Sequence, residues 1–222
     1  MGPVTHLAED PEFQQTHFVV IDFEGTTPTG HSPEPIEVAC LGLRHQPGQG
    51  PQPTGFRWES LMRPPAHAPV TPADTAQMGI RPEDVAGRPP AGEVLARLDA
   101  DLPDAPTLLV AHSAAVEAGF LYRYRQHCTR LAMLPVLDTI RMARLAHPGL
   151  PRYSLDTLID HFGLPRPEQR HRAMGDVEVT ALLFQRLLAD LARTGAVTTL
   201  AALARQCARP PKAAEPEQLT FG

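Results

Sequence analysis

Two short stretches of the sequence carry acidic residues, and one of them also carries a histidine. The stretch VVIDFEG, residues 19–25, ends an apolar run with Asp22 and Glu24. The stretch HRAMGDVEVTALLF, residues 171–184, puts His171 five positions before Asp176, which begins an apolar helical pattern. Carboxylate oxygens are ligands that Mg²⁺ and Mn²⁺ prefer, and an imidazole can take a proton from water at neutral pH. The two stretches therefore indicate water activation at a metal site.

Each of these residues also has an ordinary structural interpretation. Two acids at a strand end are often no more than a solvated edge, and His171 is one of 10 histidines. An acid in the first turn of a helix, such as Asp176, is stabilised by the helix dipole by roughly 0.3–1 kcal/mol. The same interpretation applies to Glu117 in LLVAHSAAVEAGFL, residues 108–121. Taken singly, the residues do not decide between a metal site and these alternatives.

Five short apolar runs and several helical patterns predict the framework that positions these residues. The predicted strands are HFVVIDFEG, PIEVACLGLR, GFRWESLMRP, TLLVAHS and LPVLD. Alternate side chains of a strand point the same way, so Asp22 and Glu24 are expected on one face of the sheet. Helical spacing begins after the third strand, and its longest amphipathic stretch covers residues 174–192. This order predicts an α/β fold with a mixed five-stranded sheet flanked by helices.

Size and composition predict one folded domain with short appendages. The 222 residues suffice for a single α/β core, which we place at residues 16–192. An N-terminal arm of residues 1–15 precedes this core, and a C-terminal helix (193–207) and a flexible tail (208–222) follow it. The net charge of -5 argues against a broad basic surface for nucleic acid. Three separated cysteines and the lack of a long apolar run predict a cytoplasmic protein with no membrane partner.

Three motifs, in order, resemble those of the DEDDh exonucleases, the DnaQ-like branch of the ribonuclease H-like fold. They are VVIDFEGTT, LLVAHSAAVEAGFL and HRAMGDVEVTALLF, and the resemblance spans residues 17 to about 190. The HxAxxD pattern of the third motif is the most specific of them. The resemblance implies a metal-dependent 3'-5' exonuclease that releases 5'-mononucleotides from single-stranded or frayed DNA or RNA 3' ends.

The resemblance also implies roles for particular residues. Asp22, Glu24 and Asp176 would hold two divalent cations, Mg²⁺ or Mn²⁺, and His171 would be the general base for the attacking water. Thr26 and Thr27 match positions where the family contacts the terminal nucleotide.

The chain departs from the family pattern at the second motif. The second motif contains His112; the family usually has asparagine directly after this histidine and aspartate five residues beyond the histidine, whereas this chain has Ser113 and Glu117. With one extra methylene, Glu117 would reach a cation directly or through water, or would miss it. A weakly catalytic nucleic-acid-binding module is therefore an alternative. A polymerase proofreading subunit is another, because the tail sequence EQLTFG loosely resembles peptides that bind sliding clamps.

Overall fold

A six-stranded mixed sheet forms the centre of the structure, a computed structural model that describes residues 6–168 and 171–214. The strands are β1 (His17–Gly25), β2 (Pro35–Gln46), β3 (Gly50–Leu61), β4 (Thr107–Ala111), β5 (Val136–Asp138) and β6 (Ala208–Arg209). Their order across the sheet is β3-β2-β1-β4-β5-β6. The strands β1, β4 and β5 are parallel to one another, and the remaining neighbours pair antiparallel. The predicted α/β fold, a mixed sheet flanked by helices, is confirmed, with one strand more than predicted.

Helices cover both faces of the sheet, and several have capping residues at their ends. Asp138 accepts a hydrogen bond from Ile140 N and Ser154 accepts one from Thr157 N, while Gly163 ends a helix with φ of 62°. In the described residues the helices are α1 (Pro11–Gln15), α2 (Pro72–Met78), α3 (Pro82–Ala86), α4 (Ala91–Asp101), α5 (Ala115–Arg123), α6 (Thr139–Ala146), α7 (Leu155–Phe162), α8 (Ala173–Thr194) and α9 (Leu200–Cys207).

Two apolar layers lie on opposite faces of the sheet, and the alternation along β1 assigns its residues to them. Phe18 and Val20 pack in the layer that contains α6, α7, α8 and α9. Val19 and Ile21 pack in the layer that contains α4 and α5. Because the side-chain period of a strand is two, the residue after Ile21 projects on the α8 side. The strand therefore directs its two acids toward α8.

The chain ends differ from the predicted arm, helix and tail. Leu7 and Phe13 are each 3% exposed, so the described part of the N-terminal arm belongs to the core. The C-terminal helix begins only at Leu200, after α8 has continued through Thr194.

The predicted flexible tail begins too early. Residues 208–209 pair with β5 as β6, and the Arg141 side chain donates to the Ala208 carbonyl at 2.9 Å. Pairing with an open sheet edge satisfies backbone groups that a free tail would leave to water. Residues 215–222, including EQLTFG, lie outside the described residues.

None of the helices within 6–168 and 171–214 is both long and apolar enough to cross a bilayer.

Candidate active site

Asp22 and Glu24 meet the start of α8 at the C-terminal end of β1. Both acids share a face of β1 with Phe18, whose ring lies 5.2 Å from that of Phe184 on α8 between centroids. This packing holds the helix against the strand. Asp176, in the first turn of α8, is 7% exposed. The two sequence stretches that carry the predicted metal ligands are thus neighbours in space.

The carboxylate of Asp22 lies among other acids. Burial raises its pKa well above the ordinary value, and the negative charges of Glu117, Glu24 and Asp176 raise it further. Carboxylates whose charges interact in this way repel one another unless they share protons or a cation. The four acids therefore form a cluster that favours positive charge.

Glu117 joins this cluster from α5, a helix of the other layer. It is 2% exposed, and its Oε2 has no hydrogen-bond partner among the described residues. Burial raises the pKa of Glu117 to about 8, and the nearby charges of Asp138 and Glu24 contribute to this shift, although a backbone hydrogen bond opposes it. A buried oxygen without a partner is costly. The Glu117 carboxylate thus lies near enough to Asp22 and Glu24 for their charges to interact.

His171 lies beside Glu24 and Asp176. One ligand atom from each of the three side chains lies within 4.8 Å of the others. The backbone of His171 has φ of 61°, in the left-handed region that non-glycine residues seldom adopt. Such strained residues concentrate at functional sites. The loop before α8 therefore brings the imidazole to the acids at a conformational cost.

Ser113 is a second residue with a left-handed backbone, and it lies in the turn just before α5. Its φ is 67°. Asparagine is enriched in this conformation, which gives a physical reason for the asparagine usual at this position in DEDDh exonucleases. Ser113 and His171 are the two non-glycine residues with positive φ within 6–168 and 171–214.

The two predicted substrate-contacting threonines differ in accessibility. Thr26 is 0% exposed, and its hydroxyl is 3.4 Å from the Glu34 carbonyl and accepts from Glu34 N at 3.3 Å. Thr27 is exposed, and its N–H and hydroxyl both donate to Asp74 Oδ1, at 3.2 and 2.6 Å. Of the two threonines, only Thr27 is exposed, and donation to Asp74 leaves its hydroxyl oxygen as an acceptor.

Two buried acids that support the site are not singled out by the sequence motifs. Asp74 is 2% exposed and binds Thr27 together with Thr71. Glu37 is 4% exposed and binds Arg172 at the start of α8. For Glu37 a signal did exist, since an acid inside the apolar strand PIEVACLGLR is unusual unless it is paired.

The acid cluster fits a divalent cation with oxygen ligands. Asp22, Glu24, Asp176 and Glu117 supply carboxylate oxygens only, which suits Mg²⁺ or Mn²⁺ better than softer metals. The raised pKa values of Asp22 and Glu117 and the unpaired Oε2 of Glu117 are features that a bound cation would relieve.

Glu117→Gln is expected to flatten the pH dependence of folding stability in the metal-free protein. The folded-state pKa of Glu117 is about 8, above its ordinary value of 4.5, so the folded protein holds this proton more tightly than the unfolded chain. The protonated Glu117 therefore contributes to folding stability. This contribution is fully present at pH values below the ordinary pKa of 4.5, and it is lost as the pH rises through the folded-state pKa of about 8. At about 1.4 kcal/mol per pKa unit, the loss is expected to be a few kcal/mol.

Urea unfolding at pH 5 and pH 8, with and without Mg²⁺, measures this effect. Wild type is expected to lose stability toward pH 8 and to recover it with Mg²⁺, and Glu117→Gln is expected to change less in both respects. Glu83→Gln, which removes an exposed acid, is the control. Equal pH slopes for wild type and Glu117→Gln would contradict the prediction.

A family model described as Exonuclease, RNase_T, matches residues 19–184. The match begins just before Asp22 on β1 and ends within α8, so it includes all three sequence motifs.

Curated relatives agree with this match. A DNA polymerase III subunit epsilon-like protein of Rhodobacter capsulatus is 34% identical over 200 residues, which are 89% of this chain and 27% of that protein. A DNA polymerase III PolC-type protein of Halalkalibacterium halodurans is 31% identical over 189 residues, which are 85% of this chain and 12% of that protein. The chain thus spans about a quarter or less of the length of these relatives.

Solved nuclease structures share the fold. The nuclease domain of 3'hExo bound to rAMP, described as a DEDDh family member, has a TM-score of 0.64 at 18% identity, over 82% of this chain and 94% of that one. Exonuclease X in complex with 5' overhanging duplex DNA has a TM-score of 0.57 at 23% identity, over 78% and 91%. The predicted family is therefore confirmed: the chain belongs to the DEDDh, DnaQ-like exonucleases, a family of nucleic-acid-binding nucleases that generally use divalent metal ions.

Proposed function

We propose that this protein is a 3'-5' exonuclease that removes 5'-mononucleotides from single-stranded or frayed 3' ends of DNA or RNA. The observation that carries the proposal is the convergence of four acids, from β1, α5 and α8, with one imidazole at the C-terminal end of β1. The net charge of -5 is consistent with a short contact on the nucleic acid rather than a long basic track.

The four acids would hold the metal. Asp22, Glu24, Asp176 and Glu117 would bind two divalent cations, Mg²⁺ or Mn²⁺. When bound, the cations supply stabilisation of the negative charge that develops on the attacking and leaving oxygens. Glu117 provides a carboxylate where the family usually has aspartate, and its buried position beside Glu24 and Asp138 supports a direct ligand role.

His171 would accept the proton of the attacking water. The water oxygen bonds to phosphorus, and the bond from phosphorus to the 3' oxygen of the preceding nucleotide breaks. That oxygen takes a proton from solvent and becomes the new 3' hydroxyl, while the terminal nucleotide leaves with a 5' phosphate. The nearness of the imidazole to Glu24 and Asp176 supports this role.

Thr27 would contact the sugar of the terminal nucleotide. Because its own hydroxyl proton is bonded to Asp74, its oxygen would accept a hydrogen bond from a sugar hydroxyl. A 3' hydroxyl is present on both DNA and RNA ends.

Digestion of 5'-labelled single-stranded DNA and RNA, with Mg²⁺, Mn²⁺ or a chelator, tests the proposal. We expect a ladder that shortens from the 3' end, with 5'-mononucleotides as products and no cleavage in the chelator. A circular single strand offers no 3' end and is the matched control, which we expect to remain intact. The relative rates on DNA and RNA identify the preferred sugar.

Two outcomes would contradict the proposal. Release of nucleotides from the 5' end would refute the direction of cleavage. Tight oligonucleotide binding without turnover in either metal would favour a nucleic-acid-binding module, with Glu117 as the residue that fails to complete the metal site.

A second candidate function is proofreading beside a DNA polymerase. Two of the relatives, an epsilon-like subunit and a PolC-type polymerase, favour it by their names. A clamp or polymerase contact through the C-terminal tail would be lost on deletion of residues 215–222, which keeps β6 in place. Unchanged co-purification with the polymerase or clamp after this deletion would contradict a contact through the tail.

A further inference from the structure

Glu37 is a buried acid next to the acid cluster that the proposed chemistry does not use. It lies on β2 directly opposite Glu24 in the antiparallel pairing with β1, so the two carboxylates lie on the same face of the sheet. Glu37 is 4% exposed. A carboxylate buried in an apolar strand is costly unless hydrogen bonds satisfy it. The hydrogen-bond partners of the Glu37 carboxylate therefore indicate its role.

Within residues 6–168 and 171–214, the hydrogen bonds of the Glu37 side chain all lead to the start of α8. Arg172 Nε is 3.1 Å from both carboxylate oxygens, and Arg172 Nη2 donates to Oε1 at 2.6 Å. The backbone N–H of Ala173 donates to Oε2 at 3.0 Å. Arg172 is the N-cap of α8 and makes no side-chain cap of its own. From β2, the Glu37 carboxylate thus accepts a backbone N–H at the start of α8. Its bidentate contact with Arg172 also fixes the orientation of that side chain.

His171 immediately precedes this anchored segment. Its left-handed backbone, with φ of 61°, is a costly conformation for a residue other than glycine and persists only where the surroundings hold it. Glu37 holds the next two residues by a side chain and by a main-chain N–H. These contacts constrain the chain on the C-terminal side of His171.

We infer that Glu37 is a positioning residue that keeps the His171 imidazole beside Glu24 and Asp176. The inference rests on the proposed function, in which His171 accepts the proton of the attacking water. Both oxygens of Glu37 are engaged by Arg172 and Ala173, so Glu37 acts through this segment and not as a further metal ligand. A general base displaced by about 1 Å loses up to about 100-fold in rate.

Glu37→Gln is the direct test. The amide keeps the shape of the side chain but has one acceptor oxygen where the carboxylate has two, so it cannot satisfy Arg172 and Ala173 together. With the labelled oligonucleotide and Mg²⁺, we expect kcat to fall about 10- to 100-fold, while KM stays within about twofold because substrate contacts are unchanged.

A double variant separates positioning from general stability. Because Glu37 acts through His171, Glu37→Gln is expected to cost little further rate in a His171→Asn background. Asp190→Asn is the matched control, since Asp190 is a buried acid on α8, the helix whose start Glu37 binds, and it contacts His147 and Arg186. It is expected to lower stability and leave kcat unchanged. If Glu37→Gln does not fold, Arg172→Gln removes the same ion pair from its less buried partner.

Each outcome has a defined meaning. A fall in kcat that disappears in the His171→Asn background supports the inference. Equal losses with and without His171, or a loss confined to KM, would overturn it and leave the proposed function standing. A wild-type protein without any turnover would overturn the proposed function and this inference together.

Discussion

Asp176→Asn is expected to reduce nucleotide release at least about 1,000-fold while the protein stays folded. A cation at such a site contributes several kcal/mol of charge stabilisation in the transition state, and each 1.4 kcal/mol is tenfold in rate. Asparagine has the shape of aspartate but lacks the charge, so the metal ligand is lost with little change in packing. The measurement is the initial rate of mononucleotide release, together with Mn²⁺ affinity by calorimetry.

Stability distinguishes this loss of chemistry from a loss of fold. The charge of Asp176 raises the pKa of Asp22, so its removal relieves repulsion in the metal-free protein. We therefore expect the Tm of metal-free Asp176→Asn to match or exceed that of wild type. Asp156→Asn is the control, because Asp156 is also an acid in the first turn of a helix, α7, but is paired with Arg166 on the surface. Wild-type rates for Asp176→Asn would refute its role as a ligand.

His171→Asn is expected to lower kcat about 100- to 10,000-fold, the range over which a general base contributes. Asparagine suits this position because it tolerates the left-handed backbone that His171 adopts. The substitution therefore removes the imidazole without the backbone penalty that alanine would add. Steady-state kinetics on the labelled single strand, with saturating Mg²⁺, measures the loss.

Metal affinity and chemical rescue test the assigned role of His171. A general base that is not a ligand predicts unchanged Mn²⁺ affinity in His171→Asn and partial recovery of the rate with added imidazole. A large drop in Mn²⁺ affinity would instead make His171 a ligand beside Glu24 and Asp176, which its nearness to both also permits. His161→Asn, on the exposed side of α7, controls for the loss of a histidine elsewhere.

Local patterns explain how much of the fold could be predicted. The alternation of β1 placed Asp22 and Glu24 on one face, because this feature depends on residues only two positions apart. The ends of the chain were less predictable. Pairing of β6 with β5 joins residues about 70 apart, and no short pattern in a two-residue strand reports it.

The amino-acid sequence by itself determined the type and order of the reactive residues, the strand and helix that carry them, and the family. Only the tertiary structure decided how their environments differ. It buries Thr26 and leaves Thr27 accessible, and it removes Glu117 from water until its pKa rises to about 8. It also joins Glu37 to Arg172 from distant parts of the chain. Burial, charge proximity and long-range hydrogen bonds arise from packing between elements, which residue type and local spacing do not specify.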